Sequence, residues 1–286
     1  MVGACRSRWG SRGPGGIGVT STMREELEWQ AILQRLVRLR ETRSTGAGSR
    51  RDHPTPADPA VGSRLEELYG PLVQSGSLVL AQLGETLDGR IATSSGHSHY
   101  VTGTESIRHL HRLRALVDAV VVGAGTVIAD DPQLTVRLVA GNNPVRVVLD
   151  PSSRVPADRR VFQDGAAPTL WVRARGSTRC AVGPADVEIV PLEAPEGSFR
   201  PRQVLEVLAA RGLHRVLVEG GGITVSRFLD ANVLNRLHLT VAPVLLGSGR
   251  PSLTLPPVDR LDQALRPRCR HFMLGADVLF DLEFAA

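Results

Sequence analysis

The sequence contains no lysine, and all 34 of its basic residues are arginine. Schiff-base enzymes, pyridoxal phosphate enzymes and nucleotide-binding proteins with a Walker A loop all need a lysine amine at the centre of their sites. The absence of lysine therefore excludes these three classes of protein.

Cysteine and long apolar runs are also scarce. Cys5, Cys180 and Cys269 are far apart and odd in number, so we expect reduced, structural thiols rather than a disulfide framework or a CxxC zinc site. No stretch reaches 18 consecutive apolar residues, which argues against a membrane span. No apolar run follows the first arginines, so we expect no secretory signal and a cytoplasmic protein.

The net charge of +5 lies in one part of the chain. Residues 1–64 hold 11 arginines and 6 acidic residues, whereas residues 65–286 hold 23 of each. A neutral folded body offers no broad basic surface to a phosphate backbone, so we predict no nucleic-acid partner.

The composition predicts three regions along the chain. Residues 1–22 are rich in Gly, Ser and Arg and should form a disordered tail. Residues 23–75 should hold an amphipathic helix over 25–41, with Trp29, Ile32 and Leu36 near one face, and a polar, proline-rich linker. Residues 76–286 should form the main folded domain.

In that domain, short apolar runs alternate with helical patterns, which indicates an α/β fold with a largely parallel sheet. The final pair of strands, around Gly275, should form an antiparallel hairpin. The predicted strands are 78–83, 119–123, 145–150, 169–173, 187–190, 215–219, 237–244, 271–274 and 277–282. The predicted helices are 105–116, 201–211 and 222–231.

The segment VEGGGITVSRFL, residues 218–229, carries a buried strand through three glycines into a helix. First-turn amides of a helix have no intrahelical partner, and together with the helix dipole they suit a pyrophosphate. A tight strand-to-helix turn is the alternative explanation of the glycines. Glu219 at the strand end faces the usual ligand crevice of an α/β sheet, where we expect it to meet ligand hydroxyls.

Two earlier segments carry further candidates. Residues 86–115 include the turn LDGR, the polar loop SSGHS and His97, His99, His109 and His111, whose i,i+2 spacing argues against a metal site. Residues 120–137, VVVGAGTVIADDPQLTVR, again place glycine and a hydroxyl after a strand. The pair Asp130-Asp131 before Pro132 is either a solvated turn or helix N-cap, or a carboxylate that orients a substrate.

Taken together, LGETLDGRIATSSGHSHYVT, HRLRALVDAVVVGAGTVIADDPQLTVR, PVRVVLD and VLVEGGGITVSRFLDANVLNRLHLTVAPVLLG resemble the reductase domain of the riboflavin-biosynthesis deaminase/reductase. The resemblance covers residues 78–284. It implies a dihydrofolate-reductase-like, three-layer α/β fold, and reduction with NADPH of the ribosyl group of 5-amino-6-(5-phosphoribosylamino)uracil. It also implies a homodimer.

The resemblance assigns roles to residues at matching positions. It implies that Glu219 or Asp130 orders ribose hydroxyls and helps deliver a proton, and that Arg114 and Arg137 hold the 5′-phosphate. Arg154, just past the predicted strand 145–150, is a further candidate for contact with the cofactor's 2′-phosphate. The full set for substrate is Ser98, Arg114, Leu134, Arg137 and Glu219. The full set for cofactor is Gly84, Tyr100, Thr126, Asp130, Gly221, Gly222, Ile223, Thr224, Val225, Ser226 and Arg227.

Two departures from the family pattern leave alternatives open. Gln82 stands where members commonly have a lysine, and Glu85-Thr86 stand where a small residue and serine are usual. The HxE and PCxxC zinc signature of the deaminase half is absent. The alternatives are an NADPH-dependent reductase of a pterin, folate or specialised metabolite, and a non-catalytic dinucleotide-binding protein whose N-terminal helix contacts a partner.

Overall fold

In this computed structural model, residues 21–44, 63–98, 101–177 and 187–284 are described. Residues 1–20 of the tail expected over 1–22, residues 45–62 of the expected linker, and Cys5 and Cys180 lie outside these ranges. Cys269 is a free, exposed thiol. None of the helices in the described ranges is both long and apolar enough to cross a membrane.

Strands and helices alternate through most of the described chain. The strands are β1 (Leu78–Thr86), β2 (Arg90–Thr93), β3 (Ala119–Gly123), β4 (Val145–Asp150), β5 (Thr169–Ala174), β6 (Val187–Leu192), β7 (Arg215–Val218), β8 (Arg236–Ala242), β9 (Gly249–Pro251), β10 (Arg268–Leu274) and β11 (Asp277–Glu283). The helices are α1 (Ser21–Ser44), α2 (Arg64–Tyr69), α3 (Thr104–Ala115), α4 (Ala124–Asp130), α5 (Arg160–Gln163), α6 (Pro201–Ala209) and α7 (Gly222–Asp230). Short 3₁₀ turns cover Pro71–Val73, Pro195–Gly197 and Leu261–Gln263.

Among the described residues, nine strands form one sheet in the order β10-β11-β8-β1-β7-β3-β4-β5-β6. The strands from β8 to β6 run parallel to one another. β11 is antiparallel to β8, and β10 is antiparallel to β11, which confirms the predicted C-terminal hairpin. β2 and β9 form a separate antiparallel pair that the sequence did not predict.

Side chains on the two faces of the sheet enter two hydrophobic clusters. Val120 and Val122 belong to one cluster, and Val121 between them belongs to the other, as the alternation of strand side chains requires. The first cluster takes in apolar residues of α1, α2 and α3, and the second takes in those of α6 and α7. Helices therefore cover both faces, which gives the three layers expected of this fold class.

Helix α1 packs against the domain that follows it. Trp29, Ile32 and Leu36 are at most 1 % exposed and belong to the same cluster as Val120. The Trp29 Nε1–H donates to the carbonyl oxygen of Ala140 at 2.9 Å. α1 extends beyond the predicted 25–41 at both ends, and the α2 helix was not predicted; its N-cap is Ser63, which accepts a hydrogen bond from the N–H of Glu66.

Candidate active site

A large cavity opens where the order of the parallel strands reverses. From β3 the chain adds β4, β5 and β6 outward, and it then returns so that β7 lies between β1 and β3. In open α/β sheets, ligands bind beyond the carboxyl ends of the strands at such a switch point. Here the cavity measures about 1100 Å³, and residues at the carboxyl ends of β1, β3 and β7 contribute to its wall.

A side chain at each of the three glycines after β7 would meet different surroundings. Gly220 has φ +99°, and a Cβ there would come within 2.5 Å of Thr126 Oγ1. A Cβ on Gly222 would overlap the carbonyl oxygen of Ser252. At Gly221 the nearest atom would be Thr126 Oγ1 at 3.6 Å, an ordinary contact. The chain's own packing thus requires glycine at 220 and 222, while Gly221 is the position that leaves room for a ligand.

Amide groups at the start of α7 face this cavity. The N–H of Gly221 donates to Thr126 Oγ1 at 2.9 Å. The N–H groups of Gly222 and Ile223 belong to the first helical turn, and no acceptor in the described part of the chain contacts them. Thr224 adds a hydroxyl to the cavity wall. Free amides and the positive end of the helix dipole make this turn suitable for a diphosphate.

Glu219 and Arg114 form a buried ion pair in the cavity wall. Arg114 Nε donates to Glu219 Oε1 at 2.8 Å, and Arg114 Nη2 donates to Glu219 Oε2 at 2.7 Å. Arg114 Nη1 donates to the carbonyl oxygen of Thr135 at 3.1 Å. The two side chains are only 7 % and 6 % exposed. Most of the Arg114 donors are therefore already used, which leaves one N–H on each Nη for the substrate phosphate expected there.

Several other predicted residues come together in the same cavity. The Ser98 hydroxyl donates to Asp130 Oδ1 at 3.0 Å, and both residues line the wall. Leu134 is 2 % exposed and has φ +58°, a left-handed conformation that is unusual for leucine. Gly84, Thr126, Ser226, Arg227 and Arg154 also line the cavity.

The structure does not bring every predicted residue to the cavity. Arg137 is exposed outside the wall, where its guanidinium donates to Thr135 Oγ1 at 2.6 Å. Val225 is fully buried in the hydrophobic core, because it lies on the inner face of α7. Glu85 is not part of the cavity wall. Tyr100 lies outside the described residues.

The N-cap interpretation of Asp130-Asp131-Pro132 is wrong. These residues follow a helix instead of starting one: Asp130 is the last residue of α4, and Asp131 is its C-cap with φ +41°. Because the segment after Gly123 contains glycine and a hydroxyl residue, its sequence did not indicate the short helix α4.

Two histidines of the earlier segment, His109 and His111, are part of the packing. His109 Nδ1 lies 2.7 Å from the Tyr69 hydroxyl, and its Nε2 lies 3.0 Å from His238 Nδ1. Burial lowers the pKa of His109 well below its usual value. His111 Nδ1 accepts the backbone N–H of Arg137 at 3.0 Å. Burial lowers the pKa of His111 to about 4.

The LDGR turn positions a segment that the sequence analysis missed. Asp88 accepts hydrogen bonds from the Thr86 hydroxyl and from the backbone N–H groups of Leu246 and Gly247, and these bonds lower its pKa to about 2. The Gly89 carbonyl accepts the N–H of Ser252 at 3.1 Å. Hydrogen bonds from this turn thus hold the chain that packs on Gly222.

That segment brings Arg250 of β9 to the cavity wall. Its Nη2 would lie 2.8 Å from a Cβ placed on Gly96, so the guanidinium rests on this glycine. Gln82 of β1 also lines the wall; it is 9 % exposed and is the register partner of His238 on β8. Arg250 carried no local sequence signal, because β9 is only three residues long and pairs with a distant strand.

Residues 77–276 match the family described as RibD C-terminal domain. This chain belongs to that family. It is 34% identical over 211 residues to the 2,5-diamino-6-ribosylamino-4(3H)-pyrimidinone 5′-phosphate reductase of Methanothermobacter thermautotrophicus, covering 71% of this chain and 96% of the relative. It is 32% identical over 186 residues to the riboflavin biosynthesis protein RibD of Aquifex aeolicus, covering 64% of this chain and 51% of that protein.

Solved structures of RibD proteins share the fold. The Thermotoga maritima diaminohydroxyphosphoribosylaminopyrimidine deaminase/5-amino-6-(5-phosphoribosylamino)uracil reductase superposes with a TM-score of 0.64 at 28% identity, covering 72% of this chain and 56% of that chain. Acinetobacter baumannii RibD, form 1, gives 0.63 at 26% identity, covering 76% and 62%. The RibD C-terminal domain thus confirms the predicted fold class, and the chain spans about half to three fifths of these RibD relatives. A reductase of this family implies a reduced nicotinamide dinucleotide as cofactor.

Proposed function

We propose that this protein reduces the ribosyl group of a ribosylaminopyrimidine 5′-phosphate in riboflavin biosynthesis, with NADPH as the reductant. The observation that carries the proposal is one cavity that joins the free amides of Gly222 and Ile223 to the polar pairs Arg114–Glu219 and Ser98–Asp130. A diphosphate site beside hydrogen-bonding groups for a sugar is the arrangement that such a reaction needs. A relative matched over 96% of its length, that of Methanothermobacter thermautotrophicus, is named for a reaction of this kind.

The cofactor would lie along the start of α7. The amides of Gly222 and Ile223 and the dipole of α7 would hold its diphosphate. Arg154 and Arg227 are exposed cations in the cavity wall, and we assign Arg154 to the 2′-phosphate that distinguishes NADPH from NADH. Bound in this way, the nicotinamide would supply a hydride to C1′ of the sugar in its open carbonyl or imine form.

We assign the proton to Asp130 and a positioning role to Glu219. Protonation of Glu219 would break one of its two charge-assisted hydrogen bonds to Arg114, which are the short, strong kind. Asp130 has a hydroxyl partner, Ser98, and is only partly buried, so it can exchange a proton with less disturbance. Glu219 would instead orient the ribose hydroxyls, and geometry would supply much of the reduction in barrier.

The direct test is turnover with purified protein. Loss of NADPH absorbance should be seen with 5-amino-6-(5-phosphoribosylamino)uracil, and the 2,5-diamino-pyrimidinone analogue should be assayed beside it. Turnover with neither, in a protein that binds NADPH, would overturn the proposal and favour a dinucleotide-binding protein.

One observation favours a second candidate. Gln82 in the cavity wall cannot carry the charge of the lysine that family members commonly have there. A reductase of another carbonyl or imine compound, such as a pterin, would be indicated by NADPH oxidation only with that compound.

The diphosphate assignment is tested separately at Gly221. Asp at this position would place a carboxylate beside the proposed diphosphate, whereas Ala is a matched control, because φ is −65° and the space around a Cβ is ordinary. We expect Gly221→Asp to weaken NADPH binding sharply and Gly221→Ala to weaken it little. Equal affinities in a fluorescence titration would refute the assignment.

The homodimer and the cytoplasmic location remain predictions. Light scattering would test whether the protein is a homodimer.

A further inference from the structure

A second pocket lies at the amino ends of the parallel strands, whereas the cavity lies at their carboxyl ends. It is formed where the amino ends of β1, β3 and β7 meet the last turns of α1, and its volume is about 410 Å³. Its wall consists of Leu39, Arg40, Arg43, Gly76, Asp118, Gly212, His214 and Arg215. α1 precedes the matched residues 77–276, so the pocket is partly built from a segment that the family match does not include.

Positive charge exceeds negative charge in this pocket. Among the described residues of its wall, three guanidiniums, those of Arg40, Arg43 and Arg215, meet a single carboxylate, Asp118. Asp118 Oδ1 accepts from Arg40 Nη2 at 2.7 Å, and its Oδ2 accepts the backbone N–H groups of His214 and Arg215 at 3.0 and 2.9 Å. Asp118 therefore neutralises one cation at most, and two positive charges remain.

Arg215 is a buried cation without a carboxylate contact from its guanidinium. It is 1 % exposed, and its guanidinium donates to three neutral carbonyl oxygens, those of Leu116, Ser75 and Leu72, at 2.6 to 2.8 Å. Burial lowers its pKa to about 10; Asp118 opposes this effect, and the positive charges of two neighbouring arginines add to it. An anion in the pocket would relieve this repulsion.

Two arginines of the pocket wall have guanidinium donors without an acceptor among the described residues. In that part of the chain Arg40 Nε, which is buried, has no hydrogen-bond partner. Arg43 donates through Nη1 to the carbonyl oxygen of Gly76 at 2.7 Å, and in the described part of the chain no acceptor is found for its Nε and Nη2. Buried donors without a partner are rare in native proteins, since each one is unfavourable.

We infer that this pocket binds a small ligand through a phosphate group. The two uncompensated positive charges match a dianion, and planar guanidinium forks fit phosphate oxygens better than they fit a monovalent anion. The volume falls within the roughly 300–1,000 Å³ of small-molecule sites. This inference does not depend on the proposed reductase activity, because the pocket and the cavity lie at opposite ends of the parallel strands.

Calorimetric titration of the full chain with inorganic phosphate, at constant ionic strength, tests the inference. Arg43→Gln removes a charge and the open donors, and it should fold normally because the side chain is exposed and makes one hydrogen bond. Arg38→Gln is the matched control, since Arg38 is an exposed arginine of the same helix outside the pocket. We expect Arg43→Gln to raise the Kd for phosphate by about tenfold or more, as for loss of a charged hydrogen bond, and Arg38→Gln to leave it unchanged.

The comparison of the two variants separates this pocket from the cavity. Phosphate bound in the cavity would respond equally in both proteins, and so would a general effect of charge. An equal response in the two variants, or no binding to the wild-type protein, would overturn the inference. Crystals soaked in sulfate should show the anion between Arg40 and Arg43, and density only elsewhere would likewise refute it.

Discussion

Replacing Glu219 with glutamine removes the charge from one partner of a buried ion pair while keeping the shape of the side chain. Both oxygens of Glu219 accept hydrogen bonds from Arg114, at 2.8 and 2.7 Å. A glutamine can offer only one acceptor oxygen, and its amide nitrogen would point its hydrogens at the guanidinium. Arg114 would then be a buried cation without a counter-charge.

The expected loss of stability follows from burial. Removing one partner of a buried ion pair typically costs about 3–5 kcal/mol, because the remaining charge stays desolvated. Glutamine keeps one of the two hydrogen bonds, so the lower end, about 3 kcal/mol, applies. For a domain of this size, roughly 2–4 °C of Tm per kcal/mol predicts a decrease of about 6–12 °C.

Urea denaturation and calorimetry measure this change, with Glu188→Gln as the control. Glu188 pairs with Arg211 at 2.6 Å, but its side chain is 53 % exposed, and exposed pairs contribute only about 0–1 kcal/mol. A Glu219→Gln protein no less stable than Glu188→Gln would refute the reasoning. In the double variant Arg114→Gln/Glu219→Gln, the loss should be smaller than the sum of the single losses. Turnover should also fall more than NADPH affinity, and equal turnover would remove Glu219 from the mechanism.

Three further predictions concern the buried residues His111 and Tyr69 and the cavity-wall residue Arg154. His111 gains its proton near pH 6.5 in the unfolded chain and near pH 4 in the folded chain, so the free energy of unfolding should fall as the pH drops through this window. Urea midpoints measured across the window should show a shallower decline for His111→Asn than for the wild-type protein. Tyr69→Phe leaves His109 Nδ1 buried without its partner and should cost about 1–3 kcal/mol; an unchanged urea midpoint would contradict this. Arg154→Gln should weaken NADPH binding roughly tenfold but NADH binding little, and equal losses would place Arg154 away from the 2′-phosphate.

The sequence predicted the buried parallel strands well, because most of them are short runs rich in apolar residues between turn signals. The runs at β3 and β4 have the bounds that were expected. β2 and β9 were missed, since they are short and pair across about 160 residues. Nothing local to Arg90–Thr93 marks its partner. Such a pair forms only because the rest of the fold brings the two segments together.

Many of the predicted site residues line one cavity, but the contacts between them could not be predicted from the sequence. Glycines before a helix led to the prediction of a diphosphate-binding turn, yet only the fold shows that packing requires Gly220 and Gly222. Arg114 and Glu219 were each singled out, but their pairing joins residues 105 positions apart. Burial decides which arginine is used in this way, and Arg137, equally basic in the sequence, is left exposed.

Two motifs that were separate in the sequence act as one unit in the structure. Asp88 of the LDGR turn does not line the cavity, but it holds Leu246 and Gly247 by their backbone N–H groups. The chain continues from there to Ser252, whose carbonyl oxygen occupies the space that a side chain on Gly222 would need. A carboxylate outside the cavity thus helps to position the segment that packs against the start of α7. These hydrogen bonds also lower the pKa of Asp88 to about 2. The carboxylate therefore stays charged, and keeps these hydrogen bonds, well below neutral pH.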